Sequence, residues 1–341
     1  MKQLPLKPAG AISRRHLNTA LAAWPLASLA GLPRAATLAP PVSAPAALRI
    51  GFQKSAVNLV ILKQQGSLEQ RFPNSKVQWV EFPAGPQLLE ALALGSLEFG
   101  MTGDSPPVFA QAAGKDLLYV GAESAKPLSS AVLAPAGSPL NMLADLKGRR
   151  VALQKGSSAH YLLVRALEQA KLQWSDIEPA YLTPSEARAA FERGAVDAWV
   201  IWDPFYAAAE LAIKPKVLST GVGLSNNNSF YLASKAFADQ YPRAVQGLLE
   251  ALTAADAYVQ NQRKESAQLI ADFSGLSLAT VHLFLSRRPV SPVAPLTAAI
   301  TANQQRVADA FLKLELIPRA IKVADIVWQA GRTPGASLAQ R

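Results

Sequence analysis

Arg150-Val151-Ala152-Leu153-Gln154-Lys155-Gly156-Ser157-Ser158-Ala159-His160-Tyr161-Leu162-Leu163-Val164-Arg165-Ala166-Leu167 reads as strand, turn and helix in that order. Residues 150–153 form a short apolar run, 155–158 a turn rich in small residues, and Ala159, Leu162, Leu163, Ala166, Leu167 and Ala170 share one face at helical spacing. The same alternation recurs upstream. Leu48, Ile50 and Phe52 alternate with Arg49 and Gly51, residues 77–82 form a second apolar run, and 87–94 read as a short helix closed by Gly95. Further strands are expected at 97–101, 117–120 and 131–134. Downstream, a helix over 185–193 ends at Gly194, where a left-handed cap is wanted, and the buried strand 198–201 runs into Trp202-Asp203-Pro204. Beyond residue 240 the pattern is helical, with Val245, Leu248, Leu249, Leu252 and Val259 on one stripe. Strand–helix alternation at this density implies α/β architecture, with parallel sheets covered by helices. Two such sheets suggest two lobes. Lobe 1 is expected to be discontinuous, over 47–130 and 227–341, with lobe 2 inserted over 131–226, the Pro/Gly breaks near 135 and the Gly/Asn-rich stretch 221–228 marking the crossings.

Composition narrows the function. The 341 residues are 50% hydrophobic and 17% charged, enough apolar material for about two domain cores and too much for a disordered chain. With no cysteine and only His16, His160 and His282, thiolate zinc sites, iron–sulfur clusters and Cys nucleophiles are excluded, and neither metal nor cofactor is expected. The net charge of +10 divides informatively. Lys2, Lys7, Arg14, Arg15 and Arg34 stand in an acid-free opening of 46 residues, and the rest of the chain spreads 29 basic against 24 acidic residues without a run. That is a mild surface bias rather than a basic stripe interleaved with aromatics, so nucleic acid is not an expected partner.

The opening segment reads as a targeting signal. Ser13-Arg14-Arg15-His16-Leu17 precedes a largely apolar stretch from Thr19 to Leu32, a charged region followed by a short apolar one. Paired arginines there resemble a twin-arginine export signal, and Arg34 behind the apolar stretch suits that route. The Ala/Pro/Val-rich residues 37–47 read as a linker, and residues 1–46 are set apart from the fold.

Ligands of open parallel sheets bind outside the carboxyl ends of the strands, and three segments satisfy that rule. Thr102-Gly103-Asp104-Ser105-Pro106-Pro107 follows one strand and opens a helix, as Gly156-Ser157-Ser158 does in the other lobe. Free N–H groups at such helix starts attract an anion, and the hydroxyls add donors. The competing reading makes Asp104 and Ser158 ordinary N-caps. In Trp202-Asp203-Pro204, Trp199 and Trp202 face opposite sides of their strand, leaving Trp199 for the core and Trp202 as an apolar wall for a ligand's tail. Asp203 suits either a cap or the cleft. Ser157, Ser158 and His160 lie close in sequence but lack a third group to orient a base, so no catalytic constellation is read here. His160 is expected to cap or hydrogen-bond in the cleft, and His282 to be structural.

The motif order resembles the periplasmic aliphatic-sulfonate-binding proteins of ABC transporters, related to the nitrate and taurine binders. The resemblance spans residues 48–330 and rests on Gly51-Phe52-Gln53-Lys54, Glu81-Phe82-Pro83-Ala84-Gly85-Pro86, Thr102-Gly103-Asp104-Ser105-Pro106-Pro107, Lys155-Gly156-Ser157-Ser158-Ala159-His160 and Trp199-Val200-Ile201-Trp202-Asp203-Pro204. Asp104-Ser105 stand where the family usually has Glu-Ala, and Ser158 where it often has Asn. The resemblance implies a type II two-lobe periplasmic binding protein fold, with parallel-rich sheets flanked by helices and the ligand in the interlobe cleft. It further implies a monomeric, non-enzymatic carrier in the periplasm that delivers a small sulfonate anion to an inner-membrane permease. Residue by residue it suggests ligand contacts at Gln53, Gly103, Asp104, Ser105, Ser157, Ser158, His160, Trp202 and Asp203. Taurine, nitrate or another small organic anion are the alternatives within the class. The thiamine-pyrimidine-precursor proteins are an alternative outside it, but they use clustered cysteines that this chain lacks.

Overall fold

The computed structural model describes residues 43–329, and the expected export signal, with Arg14, Arg15 and Arg34, lies outside the described residues. Among the described residues, ten strands build two five-stranded sheets. They are β1 (Ala47–Phe52), β2 (Lys76–Glu81), β3 (Phe99–Thr102), β4 (Leu117–Ala122), β5 (Ser130–Ala134), β6 (Arg150–Leu153), β7 (Glu178–Tyr181), β8 (Ala198–Trp202), β9 (Lys216–Thr220) and β10 (Phe230–Ser234). The first sheet has the order β2-β1-β3-β10-β4 and the second β7-β6-β8-β5-β9. Each sheet with its helices is here termed a lobe.

The sheets are parallel-rich but not uniformly parallel, which corrects the simplest sequence expectation. In the first, β10 runs antiparallel to both β3 and β4; in the second, β5 runs antiparallel to both β8 and β9. These reversed strands are where the chain arrives from the opposite lobe. It leaves the first sheet after β4, enters the second through β5, and returns from β9 into β10. The crossing segments 123–129 and 221–229 lie side by side. Lys126 N–H donates to the Asn226 carbonyl at 2.9 Å, Glu123 N–H to the Ser229 carbonyl at 2.9 Å, and Gly221 N–H to the Pro127 carbonyl at 2.9 Å. A Cβ on Gly221 would stand 2.6 Å from that carbonyl oxygen, so only glycine lets the two crossings approach this closely.

Hydrophobic burial explains the rest. Leu48, Ile50, Phe52 and Phe99 pack one face of the first sheet against the helices Val57–Gln65 and Pro242–Asn261. Tyr119, Phe230 and Leu232 turn to the other face and meet Leu88 and Phe311. The second sheet buries Val151, Leu153, Val200 and Ile201 in one core with Leu162, Leu163 and Leu167 of the helix Ser158–Gln169. Each such side chain contributes about 1.5–3 kcal/mol on burial. Gly194 takes φ +69°, the left-handed end expected for the helix Pro184–Glu192. The strand read from residue 97 begins instead at Phe99, with Leu97 turned into the core. His282, expected to be structural, is exposed on the helix Leu278–Ser286. No helix among the described residues is long and apolar enough to cross a membrane.

Candidate functional site

Three helices begin at the carboxyl ends of strands and converge on one cavity between the lobes. Ser105–Ala112 follows β3, Ser158–Gln169 follows β6, and Phe205–Ile213 follows β8. The first two helix starts touch. The Asp104 N–H donates to Ser158 Oγ at 3.2 Å, and a Cβ on Gly103 would fall 2.0 Å from that oxygen. Glycine at 103 is therefore what allows the lobes to meet here.

The cavity encloses about 40 Å³, room for about three waters at roughly 10–15 Å³ each and so on the scale of a small anionic head. Gln53, Gly103, Ser157, Ser158, Trp202 and Asp203 line it, as do Ser55, Lys126, Ser129, Asn227 and Ser229. Gln53, just past β1, is held by donating to the Met101 carbonyl at 3.1 Å. Trp202 is 9% exposed while Trp199 is fully buried against Phe191, the division of faces expected from the strand period. A wider space of about 340 Å³ opens outward from the cavity, sharing Gln53, Ser55 and Trp202 and continuing along Lys54, Glu81, Phe82, Pro83 and Phe205. A compact polar chamber thus leads into a roomier, partly apolar vestibule.

Asp104, Ser105 and His160 lie behind the cavity wall rather than along it. The Asp104 carboxylate accepts from Ser105 Oγ at 3.0 Å and from Ser225 Oγ at 3.4 Å, and burial raises its pKa. His160 accepts the Gly156 N–H at Nδ1, 3.2 Å away, and sits among Trp174, Phe311 and Phe109. Burial, with Lys155 nearby, pushes its pKa down to about 3, so the ring is neutral at ordinary pH and its aromatic neighbours bridge the two lobes. The capping alternative does not describe the two turns: neither Asp104 nor Ser157, the residues at the cap positions, accepts a capping hydrogen bond through its side chain, and Ser158 is the first helical residue. Asp203 does accept the Ala207 N–H at 2.9 Å. It also pairs across the lobes with Arg287 at 3.1 Å, and burial pushes its pKa up to about 7 against the pull of that arginine.

Lys126 is the residue that sequence reading missed. Its Nζ donates to Glu123 Oε2 at 3.1 Å and to Ser229 Oγ at 2.6 Å. Behind it, Glu123 receives Tyr231 Oη at 2.7 Å and Asn58 Nδ2 at 3.2 Å and lies 3.5 Å from Arg288, which pairs with Asp256. Burial opposes the charge on Glu123, but Lys126, Arg288 and the Tyr231 hydroxyl outweigh it and hold the carboxyl at about 2. The only signal in the sequence was a lone Glu123-Ser124-Ala125-Lys126 spacing before Pro127, which carries no periodicity.

Two α/β lobes meeting on a small polar cavity, at the carboxyl ends of both sheets, have the architecture of a solute-binding protein. Comparison with known proteins agrees. The family described as NMT1/THI5 like matches residues 76–266. A protein of Escherichia coli (strain K12), described as a candidate aliphatic sulfonates-binding protein, is 47% identical over 312 residues, 91% of this chain and 98% of its own. Among solved structures, the alkanesulfonate-binding protein SsuA from Xanthomonas axonopodis pv. citri, bound to MOPS, is 48% identical, with a TM-score of 0.81 over 85% of this chain and 100% of that one. The periplasmic aliphatic sulphonate binding protein SsuA from Escherichia coli is 47% identical, with a TM-score of 0.78 over 87% of this chain and 97% of that one. The chain belongs to the aliphatic sulfonate-binding family, within the NMT1/THI5-like proteins.

Proposed function

We propose that this protein is the periplasmic solute-binding component of an ABC importer, capturing aliphatic sulfonates and delivering them to an inner-membrane permease as a sulfur source. The observation that carries this reading is the meeting of two helix starts, Gly103–Ser105 and Ser157-Ser158, on one cavity of headgroup size. A sulfonate head placed there exchanges its water for N–H and hydroxyl donors in a region of low dielectric, while its alkyl part extends past Trp202 into the vestibule. Gln53, Gly103, Ser157, Ser158 and Trp202 are the proposed direct contacts, with Asp203 at the cavity's edge and Asp104, Ser105 and His160 supporting the wall. The crossings at 123–129 and 221–229 support lobe limits near 130 and 227, and the protein is proposed to act as a monomer. Export through a twin-arginine signal is part of the same proposal; replacing Arg14 and Arg15 by Lys is expected to leave precursor in the cytoplasm, and unchanged export would assign the secretory route.

Calorimetric titration with 1-butanesulfonate, taurine, nitrate and sulfate tests the ligand class. The sulfonate is expected to bind tightest, and at about 100 Kd to add roughly 2.7 kcal/mol of stability. Tighter binding of nitrate or sulfate than of every sulfonate would reassign the site.

A further inference from the structure

We infer that Lys126, placed in the crossing between the lobes, supplies a charged N–H donor to the head of the bound anion. This rests on the sulfonate reading of the cavity. Lys126 and Asp203 are the charged residues lining it. The Asp203 carboxylate is committed to Arg287 and to the Ala207 N–H. An ammonium carries three N–H donors, and among the described residues that of Lys126 has two acceptors, Glu123 Oε2 and Ser229 Oγ. With the side chain only 12% exposed and bordering the cavity, the remaining donor serves the ligand.

Lys126 and Arg288 face Glu123 and Asp256 in one buried network, so the charges behind the cavity are already paired and what Lys126 offers an anion is a charge-assisted hydrogen bond. The Lys126 backbone also ties the crossings: its N–H donates to the Asn226 carbonyl, and its carbonyl accepts from Asn227 Nδ2 at 3.3 Å. The ligand's head is thereby met at the point about which the lobes are joined.

The test is titration of the full mature chain with ethane-, butane- and hexanesulfonate, using Lys126→Met and the double variant Lys126→Met with Glu123→Gln. The single change leaves Glu123 with less compensation and is expected to lower the ligand-free melting temperature. The double change removes one positive and one negative charge together and is expected to restore it. Both are expected to weaken all three sulfonates by the same factor, about ten- to a hundredfold, because Lys126 reads the head and not the tail. Lys126→Arg is expected to retain most of the affinity. Wild-type affinity in a stable double variant would make Lys126 a structural residue and overturn the proposal, as would a loss that grows with chain length. Failure of the wild-type protein to bind any of the three sulfonates would overturn the underlying reading, and this inference with it.

Discussion

The two helix starts that meet at the cavity look alike in sequence and are used differently. Each follows a strand, carries glycine before small polar residues, and opens a helix bordering the cleft. At 156–158 both serines face the cavity. At 103–105 only the glycine does, while Asp104 and Ser105 turn back into the protein and bond to one another. The difference follows from what each turn must accommodate. Gly103 gives way to the Ser158 side chain arriving from the other lobe, and the Asp104 N–H is spent on that same hydroxyl. One turn thus supplies the space and the other the hydroxyls; the pattern that marks a helix start says nothing about which role it takes.

The contrast is most easily broken at the contact itself. Gly103→Ala places a methyl where Ser158 Oγ now sits, and is expected to cost about a hundredfold in sulfonate affinity, from an overpacking penalty of about 3 kcal/mol. Combining it with Ser158→Ala removes the clashing oxygen and should recover part of the loss; an additive double variant in calorimetry would show the two residues to be uncoupled. The wall that neither turn supplies makes a comparably large contribution, but to stability. Glu123 is held at about 2 against an ordinary 4.5, so its contribution is fully present above about pH 4.5 and lost as pH falls toward 2. The gap corresponds to about 3 kcal/mol, and the acid limb of the unfolding free energy in Glu123→Gln should be flatter by about that amount. Next come the serines. Ser158 Oγ accepts the Asp104 N–H where the two turns meet at the cavity, whereas Ser157 Oγ donates to the Gln154 carbonyl at 2.8 Å and must turn to reach a ligand. Ser158→Ala is therefore expected to weaken binding by about ten- to a hundredfold and Ser157→Ala by less. Each hydroxyl also makes an internal hydrogen bond, so each loss is expected to lower the ligand-free stability by about 1 kcal/mol besides its effect on binding. Smallest per step is the aromatic wall: Trp202→Ala should widen the affinity gap by about 0.8 kcal/mol, roughly fourfold, for each CH₂ added to the alkyl chain. Equal weakening at every chain length would place Trp202 in the core.

Much of the architecture was legible because burial leaves periodic traces. The unit over 150–170, the strand at 48–52 and the glycine end at 194 follow from the spacing of apolar residues and the need for a left-handed cap. Strand direction leaves no such trace. Residues 230–234 form an apolar run like its neighbours, and nothing local says that β10 arrives reversed from the other lobe. At the cavity, Gly103, Ser157, Ser158, Trp202 and Asp203 could be singled out because they stand at strand ends before helices, and Gln53 only through the family resemblance. Lys126 could not. Its partner Ser229 lies over a hundred residues away, and it belongs to a crossing whose course is set by the packing of both lobes.

A crystal structure of the mature protein with 1-butanesulfonate tests the central claim most directly. Sulfonate oxygens are expected within hydrogen-bonding distance of the Gly103 turn, the Ser158 hydroxyl and Lys126 Nζ, with the alkyl chain running past Trp202 toward Phe82 and Phe205. A sulfonate head seated in the vestibule beside Glu81 and Lys54, with its alkyl chain directed at Ser157 and Ser158, would contradict it.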